Sequence, residues 1–273
     1  MQVFYFLQGD EVAERCIAAP EASVVPGVPW GRPDELFTAA YWMTQYWMHR
    51  NELPRRGHRI GETFEEEVVA CLLGGHGIPA EVGLAAFKRL RDRGLISEPI
   101  DDTVALSDVL REPLSLEGRQ IVYRFWSQKA KYVLWALRAL REEPPPLDSS
   151  RALRDHLLQL PGIGPKTASW IVRNWLGSND VAILDVHVIR AGQLMGLFTS
   201  ADRVEHHYFR MERRFLDFAG AIGVPAADLD ALIWHHMRSS PRLVASLLST
   251  SGNDRELSPR RAHPAKQGQL QMA

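Results

Sequence analysis

Apolar residues recur at helical spacing along most of the chain, and this spacing predicts an all-α fold. The segment 62–73 is the clearest example, because Thr63 can cap a helix and Glu66 then completes a capping box. The alternation of apolar and polar residues that is typical of strands is almost absent. The predicted helices cover residues 34–50, 62–73, 80–93, 103–111, 114–141, 150–159, 165–176, 186–196, 202–220 and 226–238.

Proline and polar residues divide the chain into three parts. Residues 1–60 are predicted to form an irregular and partly helical N-terminal wrap, in which residues 1–7 are a short strand or helix. Residues 61–250 are predicted to form a helical core of two lobes with a cleft between them, and the three prolines at 144–146 place the lobe boundary near 142–149. Residues 251–273 are polar, which predicts a disordered tail.

Composition narrows the class of protein. The formal net charge is −1 over 273 residues, so any basic surface must be local. Two cysteines, Cys16 and Cys71, are too few for a disulfide framework and cannot hold an iron–sulfur cluster. No run approaches the roughly 20 apolar residues of a membrane span, and no basic region precedes a long apolar run. We therefore expect a cytoplasmic protein that requires no cofactor.

The most informative segment, residues 160–168, reads Leu-Pro-Gly-Ile-Gly-Pro-Lys-Thr-Ala and joins two amphipathic helices. Gly162 and Gly164 allow a tight turn with positive φ, and Pro165 suits the first position of the second helix. Ile163 at the tip can pack between the two helices. The backbone N–H groups at the helix start then form a site for phosphate.

This hairpin, residues 160–166, resembles the helix-hairpin-helix motif, which binds the DNA backbone without reading its sequence. The alternative is a short α-hairpin that binds no ligand. In the family that it resembles, the hairpin carbonyls often hold a monovalent cation, which implies a Na⁺ or K⁺ site at the carbonyls of Leu160 and Gly162. The residues predicted to bind the DNA backbone here are Gly162, Ile163, Gly164 and Thr167.

A second basic feature lies before the predicted lobe boundary. Residues 119–141 contain six basic residues and no acidic residue. Arg124, Lys131 and Arg138 recur every seven residues, so on one helix they would form a stripe that can contact DNA phosphates. The alternative is an ordinary solvated helix face. The segment 124–130 also resembles a stretch found between the lobes of helix-hairpin-helix glycosylases, and Arg124 and Lys131 are therefore predicted DNA contacts.

The catalytic candidates are Lys166 and Asp185, which lies 19 residues further along in Ile-Leu-Asp-Val-His-Val. Taken alone, Lys166 is equally suited to contact a phosphate, and Asp185 to cap a helix. Together they resemble the 8-oxoguanine DNA glycosylase branch of the helix-hairpin-helix superfamily, in particular its archaeal type. That resemblance implies a glycosylase with lyase activity, with double-stranded DNA as its partner, in a monomer. It also implies a phosphate contact for His187, which by itself would be a surface histidine.

The residue types fit this chemistry. Removal of a base from deoxyribose builds positive charge at C1′, which a carboxylate stabilises. A neutral amine can then displace the base and form a Schiff base. The positive end of a helix dipole disfavours an ammonium at Lys166, and a capping role would keep Asp185 ionised and fixed.

The predicted base pocket comprises Trp170, one turn after the nucleophile, and the pair Asp230 and Trp234. Asp230 and Trp234 resemble the base-binding pair of the archaeal-type enzymes, which favours 8-oxoguanine as the base. The alternative is that Trp234 is core and Asp230 is exposed. In the turn at 74–77, His76 is a candidate wedge for the gap left by the flipped base, with a flexible polar loop as the alternative.

Two other functions remain open from the sequence. One is a glycosylase that removes hypermodified phage bases in antiviral defence. The other is a non-catalytic DNA-binding module that uses the same hairpin.

Overall fold

The computed structural model describes residues 1–52, 58–75, 77–98 and 102–250. In these residues the helices are α1 (Ala39–His49), α2 (Phe64–Leu73), α3 (Ala80–Asp92), α4 (Thr103–Arg111), α5 (Trp126–Glu142), α6 (Ser150–Leu157), α7 (Pro165–Leu176), α8 (Val186–Leu194), α9 (Val204–Ala221), α10 (Ala226–Ser239) and α11 (Pro241–Thr250). The strands are β1 (Gln2–Gln8), β2 (Glu11–Ile17), β3 (Ser23–Val25), β4 (Val28–Pro29), β5 (Leu114–Leu116) and β6 (Arg119–Ile121).

The predicted helical fold is confirmed, and its boundaries follow the capping chemistry. The Thr63 hydroxyl accepts a hydrogen bond from the Glu66 N–H, so α2 begins at Phe64. The helix predicted at 34–50 begins only at Ala39, because Thr38 caps it and Phe37 has a φ of 66°. Helix α11 was not predicted.

The long helix predicted over 114–141 is wrong in its first third. Strands β5 and β6 form an antiparallel hairpin there, in the register Leu114↔Ile121. The turn between them contains Glu117 and Gly118, both at positive φ, which a helix does not allow. Arg124 therefore precedes α5, and only Lys131 and Arg138 of the predicted basic stripe lie on that helix.

The N-terminal segment is more regular than predicted. Strands β1 and β2 pair as an antiparallel hairpin in the register Gln2↔Ile17, so the strand alternative for residues 1–7 is correct. One face of this hairpin carries Phe4 and Phe6, which contact Trp47 of α1 at ring-centroid distances of 6.5 and 6.0 Å. Aromatic packing thus joins the hairpin to the first helix.

Two apolar cores give the molecule its two-lobed architecture. The first buries side chains of α2 to α7, and the second buries side chains of α1 and of α8 to α11. A cavity of about 940 Å³ is lined by residues that belong to both, which corresponds to the predicted cleft. Core membership changes along the chain between Val181 and Ala182. The lobe boundary near 142–149 stays a prediction, because buried cores record packing and not separately folding lobes.

Within residues 1–52, 58–75, 77–98 and 102–250, every helix is too short or too polar to cross a lipid bilayer. The same ranges contain no group of three or more His, Cys, Asp or Glu side chains arranged to hold a metal ion. The candidate wedge His76 and the predicted tail 251–273 lie outside the described residues.

Candidate functional site

The hairpin between α6 and α7 has the tight turn that its glycines predict. Gly162 has a φ of 85°, and a Cβ at this position would lie 2.3 Å from the Tyr132 ring, so no larger residue fits. Ile163 is buried at the tip, as predicted. The turn is therefore fixed by its own backbone and by the ring of α5 packed against it.

The start of α7 has the geometry of an anion site. Gly164 is the N-cap and Pro165 follows it, and the first helical bond runs from the Ala168 N–H to the Gly164 carbonyl at 2.9 Å. The amides before Ala168, including that of Thr167, thus have no acceptor within the helix. Phosphate binding here stays a prediction. A cation also stays a prediction, and the Leu160 carbonyl that would hold it already accepts the Ile163 N–H at 3.1 Å.

A buried carboxylate joins the hairpin to the segment that carries Asp185. Glu212 of α9 pairs with Arg154 of α6 through Oε2. Its Oε1 accepts hydrogen bonds from the Ser169 hydroxyl and from the Ala182 N–H, each at 3.0 Å. Both oxygens are therefore paired, and they connect α6, α7 and the strand-like residues before α8.

Lys166 and Asp185 are both placed by helix starts. Lys166, the second residue of α7, is half-buried and lines the cavity. Asp185 is the N-cap of α8, as predicted, and its Oδ1 accepts the N–H groups of His187 and Val188 at 2.8 and 2.9 Å. Neither of these bonds uses Oδ2.

His187 lies at the rim of the same cavity. Its ring meets Trp234 edge-on, with the ring centroids 6.4 Å apart. Burial lowers the pKa of His187, and the positive charges of Arg190, Arg238 and Lys166 lower it further, against the opposing effect of Asp185. His187 is therefore uncharged at neutral pH and can act as a hydrogen-bond donor to a phosphate.

Asp230 of α10 is buried, with an exposed fraction of 4%, so the alternative of an exposed residue is wrong. Its Oδ2 has no hydrogen-bond partner in the described part of the chain and lies 3.8 Å from Nη2 of Arg173. Burial raises the pKa of Asp230 to about 7, with Asp185 also raising it and Arg173 and Lys166 lowering it. The carboxyl group therefore titrates near neutral pH, inside the cavity.

The two tryptophans of the predicted pocket line the cavity and are half-buried. The Trp170 ring packs on Gly74, where an added Cβ would come within 3.0 Å of it. The Arg238 guanidinium lies over the Trp234 ring, 4.8 Å from its centroid. The structure thus brings both rings to the cavity that contains Lys166 and Asp230.

Sequence reasoning missed several polar residues of the cavity. His58, Arg173 and Asn174 line it. Burial and the charge of Arg173 lower the pKa of His58 to about 4, so this imidazole is neutral and its 3.9 Å approach to Asp228 is not an ion pair at neutral pH. The available signal was helical spacing, because positions 173 and 174 follow Lys166 by two turns and share its face.

The basic segment separates into structural and exposed residues. The half-buried Lys129 ammonium donates to the carbonyls of Leu72 and Gly74 at the end of α2, so it caps that helix. Arg124 and Lys131 are exposed, and Arg124 stacks on Phe125 at 5.0 Å. Phosphate binding by Arg124 and Lys131 stays a prediction.

The sequence of the chain is similar to that of one known protein family. Residues 55–224, more than half of the chain, match the family described as 8-oxoguanine DNA glycosylase, Ogg-HhH. The 8-oxoguanine DNA glycosylase/AP lyase of Saccharolobus islandicus strain L.S.2.15 is 36% identical over 123 residues, which are 41% of this chain and 58% of that relative. The chain thus spans little more than half of that relative's length. The Methanocaldococcus jannaschii protein of the same name is 25% identical over 183 residues, 65% of this chain and 82% of that protein.

A comparison of structures bears on the fold. The crystal structure of the 8-oxoguanine DNA glycosylase of Methanocaldococcus jannaschii has a TM-score of 0.56 to this chain at 20% identity, covering 74% of this chain and 94% of that one. The family match includes Lys166 and Asp185 and ends before α10, which carries Asp230 and Trp234. On the match over residues 55–224, this chain belongs to the 8-oxoguanine DNA glycosylase family of helix-hairpin-helix proteins.

Proposed function

We propose that the protein is a DNA glycosylase with lyase activity that excises 8-oxoguanine from double-stranded DNA. One observation supports this proposal above the others: Lys166 and the buried, incompletely paired Asp230 line the same cavity, beside the helix that Asp185 caps. The name of the Saccharolobus relative, 8-oxoguanine DNA glycosylase/AP lyase, supports both activities. A substrate for this arrangement must be turned out of the duplex to reach the cavity.

DNA would lie across the hairpin, because the amides at the start of α7 carry the positive end of a helix dipole. Arg124, Lys131 and His187 would contribute further backbone contacts. These contacts position the duplex without reading its sequence. We propose a monomer that requires no cofactor. A monovalent cation at the hairpin carbonyls would only hold the turn against the DNA backbone.

The flipped base would enter the cavity between the two tryptophans. Trp170 and Trp234 offer aromatic faces, and a base that takes the Arg238 side of Trp234 must displace that guanidinium. The Asp230 carboxylate can accept the N1–H and N2–H groups of a guanine derivative. These contacts hold C1′ of the sugar near Lys166.

Excision would proceed by displacement at C1′. The bond between C1′ and N9 breaks as the neutral amine of Lys166 forms a bond to C1′, and N9 keeps the bonding electrons and takes a proton from the attacking nitrogen. Positive charge develops on the sugar ring, and the open Oδ2 of Asp185 stabilises it. The ring then opens to a protonated imine, and O4′ takes a proton from water. In the lyase step a C2′ proton passes to water and the bond between C3′ and its oxygen breaks, which releases the downstream strand with a 5′ phosphate. Water then hydrolyses the imine and frees Lys166.

The direct test is release of free base from a duplex that contains one 8-oxoguanine opposite cytosine. Mass spectrometry should detect 8-oxoguanine with the native protein and none with Lys166→Gln. A duplex of the same sequence with guanine is the control and should release nothing. If the native protein releases no 8-oxoguanine from any pairing, the proposed substrate is wrong. A panel of hypermodified bases then tests the antiviral alternative, which no feature of the described residues favours over repair.

A further inference from the structure

Asn174 of α7 lines the cavity with its amide held in one orientation. The side-chain nitrogen Nδ2 lies 2.6 Å from Oε1 of Glu67 in α2. A carboxylate only accepts hydrogen bonds, so the amide nitrogen must face it and the oxygen must point the other way. The Asn174 Oδ1 is buried and has no partner in the described part of the chain. It is an acceptor whose position is fixed before any ligand enters.

Glu67 is held in turn by the backbone. Its Oε2 accepts the N–H groups of Ile60 and Gly61 at 2.7 and 2.9 Å, and the residue is fully buried. Both donors are backbone N–H groups, so the atom at the Oε2 position must be a hydrogen-bond acceptor. The chain from these amides through Glu67 to Asn174 therefore determines which way round the Asn174 amide lies, with its nitrogen toward Glu67 and its oxygen on the other side. Glu67 acts only through Asn174 and is a positioning residue.

Asn174 and Asp230 line the cavity from two different helices, α7 and α10. Asn174 is tied to α2 through Glu67, whereas Arg173, its neighbour on α7, points toward Asp230 on α10. On the proposed function, Asp230 accepts from N1–H and N2–H of the base. The ring donor that remains on 8-oxoguanine is N7–H, on the opposite edge. Guanine has no hydrogen there, because its N7 is an acceptor.

We propose that Asn174 is the specificity-determining residue that accepts the N7–H of 8-oxoguanine and rejects guanine. Oxidised guanine satisfies the buried oxygen of Asn174. Guanine would bring the N7 lone pair against that oxygen and leave both acceptors unpaired, which costs more than the loss of one hydrogen bond. This inference rests on the proposed function, since it assigns one atom of the proposed substrate.

The test measures binding on the full chain with Lys166→Gln as the non-cleaving parent. Dissociation constants are measured for three duplexes, which carry 8-oxoguanine, guanine or a tetrahydrofuran abasic analogue opposite cytosine. The discrimination ratio is the affinity for the 8-oxoguanine duplex divided by that for the guanine duplex. Adding Asn174→Leu, which removes the acceptor at similar volume, should lower this ratio about tenfold and leave abasic affinity unchanged.

Glu67→Gln provides a second and more specific variant. Its oxygen must still accept from Ile60 and Gly61, so its new NH₂ group faces Asn174. The Asn174 amide must then turn over and present its N–H to the cavity. The discrimination ratio should fall at least as far as with Asn174→Leu, because the cavity now offers guanine N7 a donor. Leu243→Ala, on an exposed residue of α11 that does not line the cavity, is the control and should keep the parent ratio.

The outcomes separate the two proposals. If the parent binds 8-oxoguanine no tighter than guanine, the proposed substrate is wrong and the N7 assignment falls with it. If the Lys166→Gln parent binds 8-oxoguanine more tightly than guanine and both variants keep its discrimination ratio, the proposed substrate stands and only the assignment of N7–H to Asn174 is wrong. Equal losses on all three duplexes also overturn it, since they indicate a structural role only. Thermal melting of each variant confirms that the protein remains folded.

Discussion

Two buried carboxylates of this molecule are equally inaccessible and differ in how completely they are paired. Glu212 and Asp230 each have an exposed fraction of 4%. Under the hairpin, both oxygens of Glu212 have partners, from Arg154, Ser169 and the Ala182 amide. In the cavity, Oδ2 of Asp230 has no hydrogen-bond partner among the described residues, and the guanidinium of Arg173, with which it forms an ion pair, is 3.8 Å away.

The difference in pairing distinguishes a carboxylate that stabilises the fold, Glu212, from one that is available to a ligand, Asp230. A buried polar atom without a partner costs about 1–3 kcal/mol, so proteins usually pair such atoms. At Glu212 the pairing joins side chains on either side of Lys166 to the backbone of Ala182, three residues before Asp185. At Asp230 the missing partner is consistent with a ligand that supplies it. Asp185 is intermediate, because its Oδ1 caps a helix and neither capping bond uses its Oδ2, which we propose acts in the reaction.

The largest expected effect on stability comes from the fully paired carboxylate. Glu212→Ala leaves the Arg154 charge buried without its partner, and we expect a loss of about 3–5 kcal/mol in the free energy of unfolding. Urea denaturation measures it. Glu205→Ala, at an exposed position on the same helix, is the matched control and should change stability by less than about 0.5 kcal/mol. A Glu212 variant as stable as this control would show that the pairing is unimportant.

Asp185→Asn tests the intermediate case. The amide oxygen can still accept from His187 and Val188, so stability should change little. The charge is lost, and single-turnover excision should slow by about 10²-fold or more, as for other lost electrostatic contacts to a transition state. Unchanged single-turnover rates, measured on the 8-oxoguanine duplex, would remove Asp185 from the mechanism.

Asp230→Asn should affect base recognition less than Asp185→Asn affects excision, and its effects should depend on pH. The pKa of Asp230 is raised from 3.8 to about 7, so the folded state prefers the protonated form. Its contribution to stability is therefore full below pH 4 and is lost as the pH rises through 7. The free energy of unfolding of the native protein, measured by urea denaturation at several pH values, should therefore fall between about pH 4 and pH 7. In Asp230→Asn this contribution to the pH dependence should be absent. Asp217→Asn, at an exposed position on α9, is the control.

Binding should change in the opposite direction with pH. The ionised carboxylate accepts two N–H groups better than the protonated acid does, so the preference for lesion over abasic DNA should rise between about pH 6 and pH 8. In Asp230→Asn this preference should be flat and about tenfold lower at pH 8. Equal losses on lesion and abasic DNA would show that Asp230 does not contact the base.

The sequence could predict what local chemistry determines. The Pro-Gly-Ile-Gly-Pro hairpin, the Asp185 cap and the span of α7 follow from glycine, proline and capping preferences. The β5–β6 hairpin was missed because its residues are apolar enough to continue a helical pattern, and only the positive φ of Glu117 and Gly118 interrupts it. Helix α11 was missed beside the polar tail.

The cavity depends on contacts between distant parts of the chain. Asn174 meets Glu67 across more than 100 residues, and Arg173 meets Asp230 across the boundary between the two cores. No local pattern records such a pairing. Spacing alone could have suggested that positions 173 and 174 share the face of Lys166, but not that one amide oxygen there is left without a partner.

The most direct test of the account is the identity of the residue that attacks C1′. The native protein is incubated with 8-oxoguanine DNA and reduced with borohydride, and the covalent adduct is digested and sequenced by mass spectrometry. The account predicts one adduct, on Lys166, and none with Lys166→Gln, which should still bind the abasic duplex through the hairpin amides. An adduct on another residue, or one that persists in Lys166→Gln, would contradict the assignment of the nucleophile and with it the proposed mechanism.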